Sequence, residues 1–518
     1  MEISYLKQKY PFLRNIFLRI IPFLTVLLLL LIIWAGILYY FTGNNSFGYF
    51  VSVLFVILYT WWVIRWIEYI IFVIWGILRY KNFQKLNLDN IVNWKPINKQ
   101  EKLIYDKYKK SDLKVNEVYH WIIIPTYKDP LEMLNDTFES IKHSNVNLKN
   151  VFITLAWEYS DRKNFTKIKE FISSKYKDTF WFLNFTLHKL VPWELQWKGS
   201  NVSYAIRTTF KEILNYAPAE KIMVHIMDSE SIVQDRYFLS MWLEFCLTDS
   251  MRHNTIYQPM LFLLNRFEKA PYFSKIIALS VGTYILGASI KGVGVRAQAV
   301  QAQSLKSLID TNFYSVESIT EDWHQYYRTY CTFNWKFQVK PVYSYVLLEP
   351  VIGKNIIESL ILQYNQIKRW AHWCMDLPYI LLCFIDKFKK LPKLRTLYEI
   401  FWLTEASVLW GSLQFILFFW SIFLISVFNY FSWVFIVFNF ITLLILVVIL
   451  FISYWFFLQI NNLNKVQLSW ELFKYSILSF TLMWPILLIL NWLPALHAQL
   501  MILFWKPLGS FNVTKKYR

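Results

Sequence analysis

Residues 20–42 carry no charged side chain, and neither do residues 433–459. A helix needs about 20 apolar residues to cross the hydrocarbon core of a bilayer, so each run is long enough for a span. Residues 81–118, by contrast, are crowded with Lys, Asp and Glu. A chain built this way alternates between lipid and water. Its apolar share of 56% over 518 residues exceeds the roughly 45–50% of soluble domains, and the excess lies in the uncharged runs.

The first run leads into a turn-like stretch, Thr42-Gly43-Asn44-Asn45-Ser46. The return run, Phe47 to Tyr80, is longer than one span and holds Arg65 and Glu68, three apart and so able to pair on one helix face. It reads as a span that continues as an interfacial helix. After Leu391 come expected spans near 399–427 and 431–459, a polar loop with Lys465, and an apolar stretch at 473–505. Asn491, Pro494 and His497 in that stretch fit a turn between two short spans or a broken helix lining a cavity. The expected division is a membrane region at 1–94, a water-facing region at 95–398 with interfacial helices, and a second membrane region at 399–518 with a basic tail. No span is expected between about 95 and 385. The N-terminal run lacks a small-residue cleavage site and exceeds a signal h-region in length, which favours a retained anchor.

The formal charge of +19 raises the question of nucleic acid. Its bearers, Lys7, Lys9, Arg14, Arg19, Lys81 to Lys114, and Lys387 to Arg395, mostly flank apolar runs. That is the positive-inside pattern of cytoplasmic loops rather than a nucleic-acid groove. The reading is a multi-pass integral membrane protein with residues 95–398 and the N-terminus in the cytoplasm. Cys246, Cys331, Cys374 and Cys383 are widely spaced without a C-x-x-C repeat, pointing to neither a zinc knuckle nor a disulfide framework. The aromatic share of 20% suits interfacial belts and core packing. Glu405, near the entry of an expected span, needs a partner or water.

Short apolar runs punctuate the water-facing region: Trp121 to Pro125, Val151 to Leu155, and Ile222 to Met227. Strands of this kind separated by helical stretches predict an α/β fold with a mostly parallel sheet. Ligands of open α/β sheets bind beyond the carboxyl ends of the strands. The residues found there are acidic: Asp129, Glu158, and the pair Asp228 and Glu230 around Ser229. If the strands are neighbours, these carboxylates share one rim, which suits Mg²⁺ or Mn²⁺ held together with a diphosphate.

Farther on stand Thr320-Glu321-Asp322-Trp323 and, 44 positions after Asp322, Gln366-Ile367-Lys368-Arg369-Trp370. The order Tyr127-x-Asp129, Glu158, Asp228-x-Glu230, Thr-Glu-Asp and Gln-x-x-Arg-Trp resembles the processive inverting membrane glycosyltransferases that include cellulose, chitin and hyaluronan synthases. Phe511-Asn512-Val513-Thr514-Lys515-Lys516 is similar to the gating loop of cellulose synthases. The resemblance covers about residues 118–375. It implies a cytoplasmic GT-A-type (Rossmann-like) α/β domain inserted between transmembrane helices.

Carried over to this chain, it implies that Tyr127, Asp129, Glu158, Lys198, Asp228, Arg369 and Thr514 bind a nucleotide-diphosphate sugar, with Asp228 and Glu230 on Mg²⁺ or Mn²⁺. Glu158 and Glu230 depart from the family's Asp by one methylene each. Asp322 would be the catalytic base, with Thr320 and Glu321 beside it, and Gln366, Arg369 and Trp370 would hold the acceptor. The implied activity is transfer to a growing polysaccharide with inversion, with export through the spans. The enzymatic alternative is addition of one sugar to a lipid-linked acceptor. A transporter accounts for the spans but not for the acidic rim, and an inactive scaffold has no need of Asp322, Gln366, Arg369 and Trp370 together. Donor sugar, linkage and oligomeric state are not encoded in motifs of this kind.

Overall fold

The computed structural model describes residues 3–43, 46–291, 295–334, 336–416, 432–460, 482 and 485–504. The expected loop around Lys465 and the Phe511 to Lys516 segment with Thr514 lie outside these residues.

Among the described residues, eight strands form one sheet: β1 (Tyr119–Thr126), β2 (Val151–Glu158), β3 (Phe182–His188), β4 (Ile222–Ile226), β5 (Ile232–Val233), β6 (Thr255–Phe262), β7 (Gln301–Ser304) and β8 (Gln338–Leu347), in the order β3-β2-β1-β4-β7-β6-β8-β5. The half from β3 to β4 is parallel. The expectation of a mostly parallel sheet holds for most pairings, since β6 and β8 also run parallel, but β7 is antiparallel to β4 and β6, and β5 to β8, which makes the sheet mixed. The reason is compositional: β7 reads Gln-Ala-Gln-Ser and is fully buried, so no apolar run announces it.

Alternation along β1 separates two cores. Ile122 and Ile124 join one apolar cluster, while Trp121 and Ile123 join another on the opposite face. The Leu131–Lys142 helix lays Leu134, Phe138 and Ile141 against the first. The Lys198–Ile213 helix lays Val202, Ala205 and Ile206 against the second. Those residues recur at helical spacing, which turns each helix into a lid over one face of the sheet. Trp121 satisfies its buried indole by donating to Thr154 Oγ1 at 2.9 Å.

Among the described residues, four helices are long and apolar enough to cross a membrane: Pro11–Leu31, Ser52–Gln84, Tyr272–Ile290 and Pro485–Leu503. The first belongs to a helix running from Pro11 to Thr42 that stops at Gly43, whose φ of 60° provides the left-handed cap. The return helix, Ser46–Gln84, is continuous over 39 residues, or about 58 Å, well beyond a ~30 Å hydrocarbon core. Arg65 donates to Glu68 on it at 2.8 Å. Glu405 accepts from Trp61 at 2.8 Å and lies 3.6 Å from Arg65, while Lys291 lies 3.1 Å from Glu68.

The Tyr272–Ile290 helix falls in the stretch 95–385, where no span is expected, yet is long and apolar enough to cross a membrane. Two thirds of its apolar window is buried within the protein. Gly76 makes that possible, since a Cβ there would sit 2.2 Å from the Leu286 carbonyl oxygen. The polar residues near the C-terminus mark no turn: Leu488–Trp492 is a π-helical segment that runs straight into the Leu493–Leu503 helix. Asn491 accepts from Trp410 at 2.9 Å there. A further apolar helix, Ser432–Ile460, packs against the Tyr272–Ile290 helix. All four cysteines are buried thiols.

Candidate active site

The strands β2, β1 and β4 are neighbours, so Asp129, Glu158 and Asp228 follow adjacent strands at the same edge of the sheet. The loop after β1 is bent sharply. Lys128 takes a left-handed φ of 56°, a conformation that costs a residue with a Cβ about 1–2 kcal/mol. Two carboxylates stabilise the bend: Asp129 accepts from the Tyr127 amide at 3.1 Å, and Asp161 from the Lys128 amide at 2.9 Å. Lys128 also lies over the Tyr127 ring, 4.9 Å from its centre. Glu158 accepts from Gln196 and Ser160.

Lys198 opens the helix that lids the second face, and its ammonium lies 2.7 Å from Asp228 Oδ1 and 3.7 Å from Glu321 Oε1. It also donates to the Ala299 carbonyl at 2.8 Å. Burial by itself would lower this ammonium, but the charges of Asp228 and Glu321 outweigh it and the pKa is raised. Gly199 allows the approach: a Cβ there would meet Ser315 O and Glu321 Cβ, each at 2.8 Å. Trp197 donates to Glu321 Oε2 at 2.9 Å. The Arg369 guanidinium stacks on the Trp197 ring, 5.0 Å from its centre.

Glu321 and Asp322 form the first turn of the Glu321–Phe333 helix, with Thr320 as its cap position. That helix is held from several sides. His324 meets Asp376 Oδ1 at 2.7 Å, Tyr326 donates to Glu399 Oε1 at 2.8 Å, and Arg328 donates to the Thr311 carbonyl at 2.7 Å. Arg296 completes the Glu399 anchor with a wholly buried ion pair at 2.6 Å. Asp322 itself is half-buried and accepts its neighbour Trp323's amide at 2.8 Å. Burial, then the charge of Glu321, push its carboxyl up to about 7, against the pull of Lys198. Glu321 is also raised, chiefly by burial. Burial lowers the Arg369 guanidinium while Glu321, Asp228 and Asp322 oppose it. Lys198, Asp228, Glu321, Asp322 and Arg369 thus act on one another electrostatically.

The remaining acceptor candidates lie on the Ile356–Trp370 helix. Gln366 accepts from Gln363 at 2.9 Å. Trp370 packs on the apolar cluster of Ile277, Ile367 and Leu490. Glu230 is buried, with the Ser229 hydroxyl 3.4 Å from its Oε2.

Among the described residues no three His, Cys, Asp or Glu side chains gather as a metal cage. A hard dication that keeps substrate phosphates and water as ligands needs only one or two protein carboxylates. Asp228, 23% exposed, fits such a shared site better than the buried Glu230.

Sequence reasoning singled out Lys198 but missed its neighbours Trp197 and Gly199, and also Asp161. Asp161 carries no signal beyond following Glu158 by three residues. Trp197 and Gly199 flank Lys198 directly, yet their roles depend on Glu321 and Arg369, more than 100 positions away.

No family model matches the chain, and no curated protein does. Among solved structures it is similar to the mannosyltransferase PcManGT from Pyrobaculum calidifontis in complex with GDP-Man and Mn²⁺, at 10% identity and a TM-score of 0.41, covering 78% of this chain and 94% of that one. It is also similar to S. aureus TarS 1-349, at 14% identity and a TM-score of 0.29, covering 50% of this chain and 66% of that one. The complex of TarS 1-349 with UDP-GlcNAc gives 13% identity, a TM-score of 0.30, and 50% and 67% coverage. At this distance no residue's role carries across from these proteins.

Proposed function

We propose that the protein is a membrane glycosyltransferase that moves a sugar from a nucleotide-diphosphate donor to a growing glycan with inversion, its catalytic region facing the cytoplasm. The observation that carries this reading is Asp322: a half-buried carboxyl pushed up to about 7 beside Lys198, Asp228, Glu321 and Arg369. A general base works best when its pKa lies near the working pH, and an ordinary surface Asp is far from it.

In this reading the carboxylate of Asp322 takes the acceptor hydroxyl proton as the acceptor oxygen bonds to the anomeric carbon. The bond from that carbon to the diphosphate breaks, and its electron pair leaves with the diphosphate. Lys198 and Arg369 supply positive charge for the leaving group, and the N-terminus of the Lys198–Ile213 helix adds its partial charge. Mg²⁺ or Mn²⁺, bound through Asp228 with Glu230 behind it, would neutralise the same charge when present. Asp129, Glu158 and Tyr127 form the nucleotide end. Thr320 and Glu321 orient the base, and Gln366, Arg369 and Trp370 face the acceptor.

The test is release of nucleoside diphosphate by the full-length protein in detergent, with Mn²⁺ or Mg²⁺ and a panel of nucleotide sugars. Asp322→Asn is expected to lower kcat by about 100-fold or more while donor binding stays within threefold. Turnover unchanged in Asp322→Asn, or an α-linked product from an α-linked donor, would overturn the assignment. Product length separates polymerisation from addition of one sugar to a lipid-linked acceptor.

A further inference from the structure

The short helix Ile3–Lys9 ends one residue before the Pro11–Thr42 helix. Tyr10 joins the two: its amide donates to the Leu6 carbonyl at 2.9 Å, and its own carbonyl accepts from the Arg14 amide at 3.0 Å. The short helix is thus continuous with a segment long enough to cross a membrane. Ile3, Leu6 and Tyr10 recur at helical spacing and pack on the apolar cluster that holds Tyr326, Tyr327, Tyr379 and Ile380, with Leu6 buried. From that seat the helix reaches two acids. The Ser4 amide donates to Glu317 Oε1 at 3.0 Å and the Lys7 ammonium to Glu317 Oε2. Lys9 and the Tyr10 hydroxyl donate to Asp386 Oδ1, at the end of the Asp376–Asp386 helix whose first residue holds His324.

Glu317 belongs to a segment fastened on two sides. The Ser315 carbonyl lies against Gly199, where a Cβ would sit 2.8 Å from it. The Val316 carbonyl accepts from the Leu195 amide at 2.9 Å and from the Ser200 hydroxyl at 3.2 Å. Those contacts tie the segment to the start of the Lys198–Ile213 helix, and the Glu317 carboxylate ties it to the N-terminal helix. The Glu317 amide donates to the Ser315 hydroxyl at 3.2 Å, which closes the bend between the two. Only Ser318, Ile319 and Thr320 separate Glu317 from Glu321, so a shift of Glu317 reaches the Glu321–Asp322 turn. Its carboxylate is 14% exposed and the Lys7 side chain 42%. Losing such a pair loosens the segment locally rather than unfolding the chain.

We propose that Lys7, acting through Glu317, is a positioning residue for the transfer reaction: it holds the 315–320 segment against the Lys198–Ile213 helix and so fixes the Glu321–Asp322 turn opposite Lys198. Its effect on catalysis rests on the reading of Asp322 as the base. Neither Lys7 nor Glu317 is asked to touch substrate. The cation stands on the helix that leads into the first apolar span, so that span and the catalytic turn move as one unit.

The test compares the full-length wild type with Lys7→Gln and Lys7→Arg in detergent. Deuterium exchange of the backbone amides of residues 315–323 reads the strut without substrate, and diphosphate release reads its effect on catalysis. Lys7→Gln is expected to speed exchange in that segment while its melting temperature stays near the wild type's. It should lower kcat about tenfold and leave donor KM within about twofold, because a slightly misplaced catalytic group costs rate rather than binding. The acidic limb of kcat/KM should move to lower pH, since water reaching Asp322 relieves the burial that raises its carboxyl. Lys7→Arg keeps the cation and should restore all three. Unchanged exchange in Lys7→Gln overturns the proposal, as do kcat and a limb equal to the wild type's while Asp322→Asn is inactive. Turnover unchanged in Asp322→Asn overturns the reading of the base instead, and the exchange result still decides whether Lys7 holds the turn.

Discussion

Lys198 stands between two carboxylates from different parts of the chain, its ammonium 2.7 Å from Asp228 and 3.7 Å from Glu321. One contact ties the end of β4 to the N-terminus of the Lys198–Ile213 helix, and the other ties that helix to the one carrying Asp322. The proposed diphosphate site and the proposed base are therefore fixed to a single cation.

The first prediction concerns pH. With Asp322 acting as base, kcat/KM rises with pH through about 7. After burial, the charge of Glu321 is the main cause of that high value, so Glu321→Gln is expected to move the acidic limb to lower pH. Initial rates of diphosphate release between pH 5 and 9 measure both, and a limb that stays in place in the variant contradicts the coupling.

The same residue makes a prediction about stability. A carboxyl raised in the folded state contributes stability that is complete below its unfolded pKa and is lost as pH rises through its folded value, here about 7. Asp322→Asn cannot ionise and escapes that loss. Its melting temperature is expected to exceed that of the wild type at pH 8 by about 2 °C or more, with a smaller gap at pH 5. Tryptophan fluorescence melts in one detergent at the two pH values measure it.

Gly199 is expected to tolerate no side chain. The added Cβ of Gly199→Ala meets Ser315 O and Glu321 Cβ at 2.8 Å, and neither a carbonyl nor a Cβ yields without moving backbone. Overpacking of this kind costs about 1–3 kcal/mol, and a displaced Glu321–Asp322 turn lowers kcat by about 10- to 100-fold. Melting temperature and kcat should fall together.

Arg296 and Glu399 are both fully buried and paired at 2.6 Å. Removing one partner leaves an uncompensated charge, so Glu399→Gln is expected to destabilise the protein by about 3–5 kcal/mol. The double variant Arg296→Met with Glu399→Leu should recover much of that loss. Denaturation midpoints for the single and double variants decide it, and equal losses in both would show that the helix contact, not the charge, matters.

The sequence by itself determined the alternation of solvents, the strands β1, β2 and β4, and the acidic residues that follow them. Each of these is written locally: an apolar run forms a strand or span because of its own side chains, and the carboxylate comes next in the chain. Tertiary structure alone decided the rest. The polar β7 enters the sheet only because its neighbours supply hydrogen bonds, so no period betrays it. The burial of the Tyr272–Ile290 helix depends on the Ser46–Gln84 helix, which Gly76 lets approach. Lys198 was legible as a cation ahead of Asp228, but its contact with Glu321 and the raised carboxyl of Asp322 were not. Those depend on desolvation and charge gathered from segments more than 90 residues apart, quantities that exist only once the chain has folded.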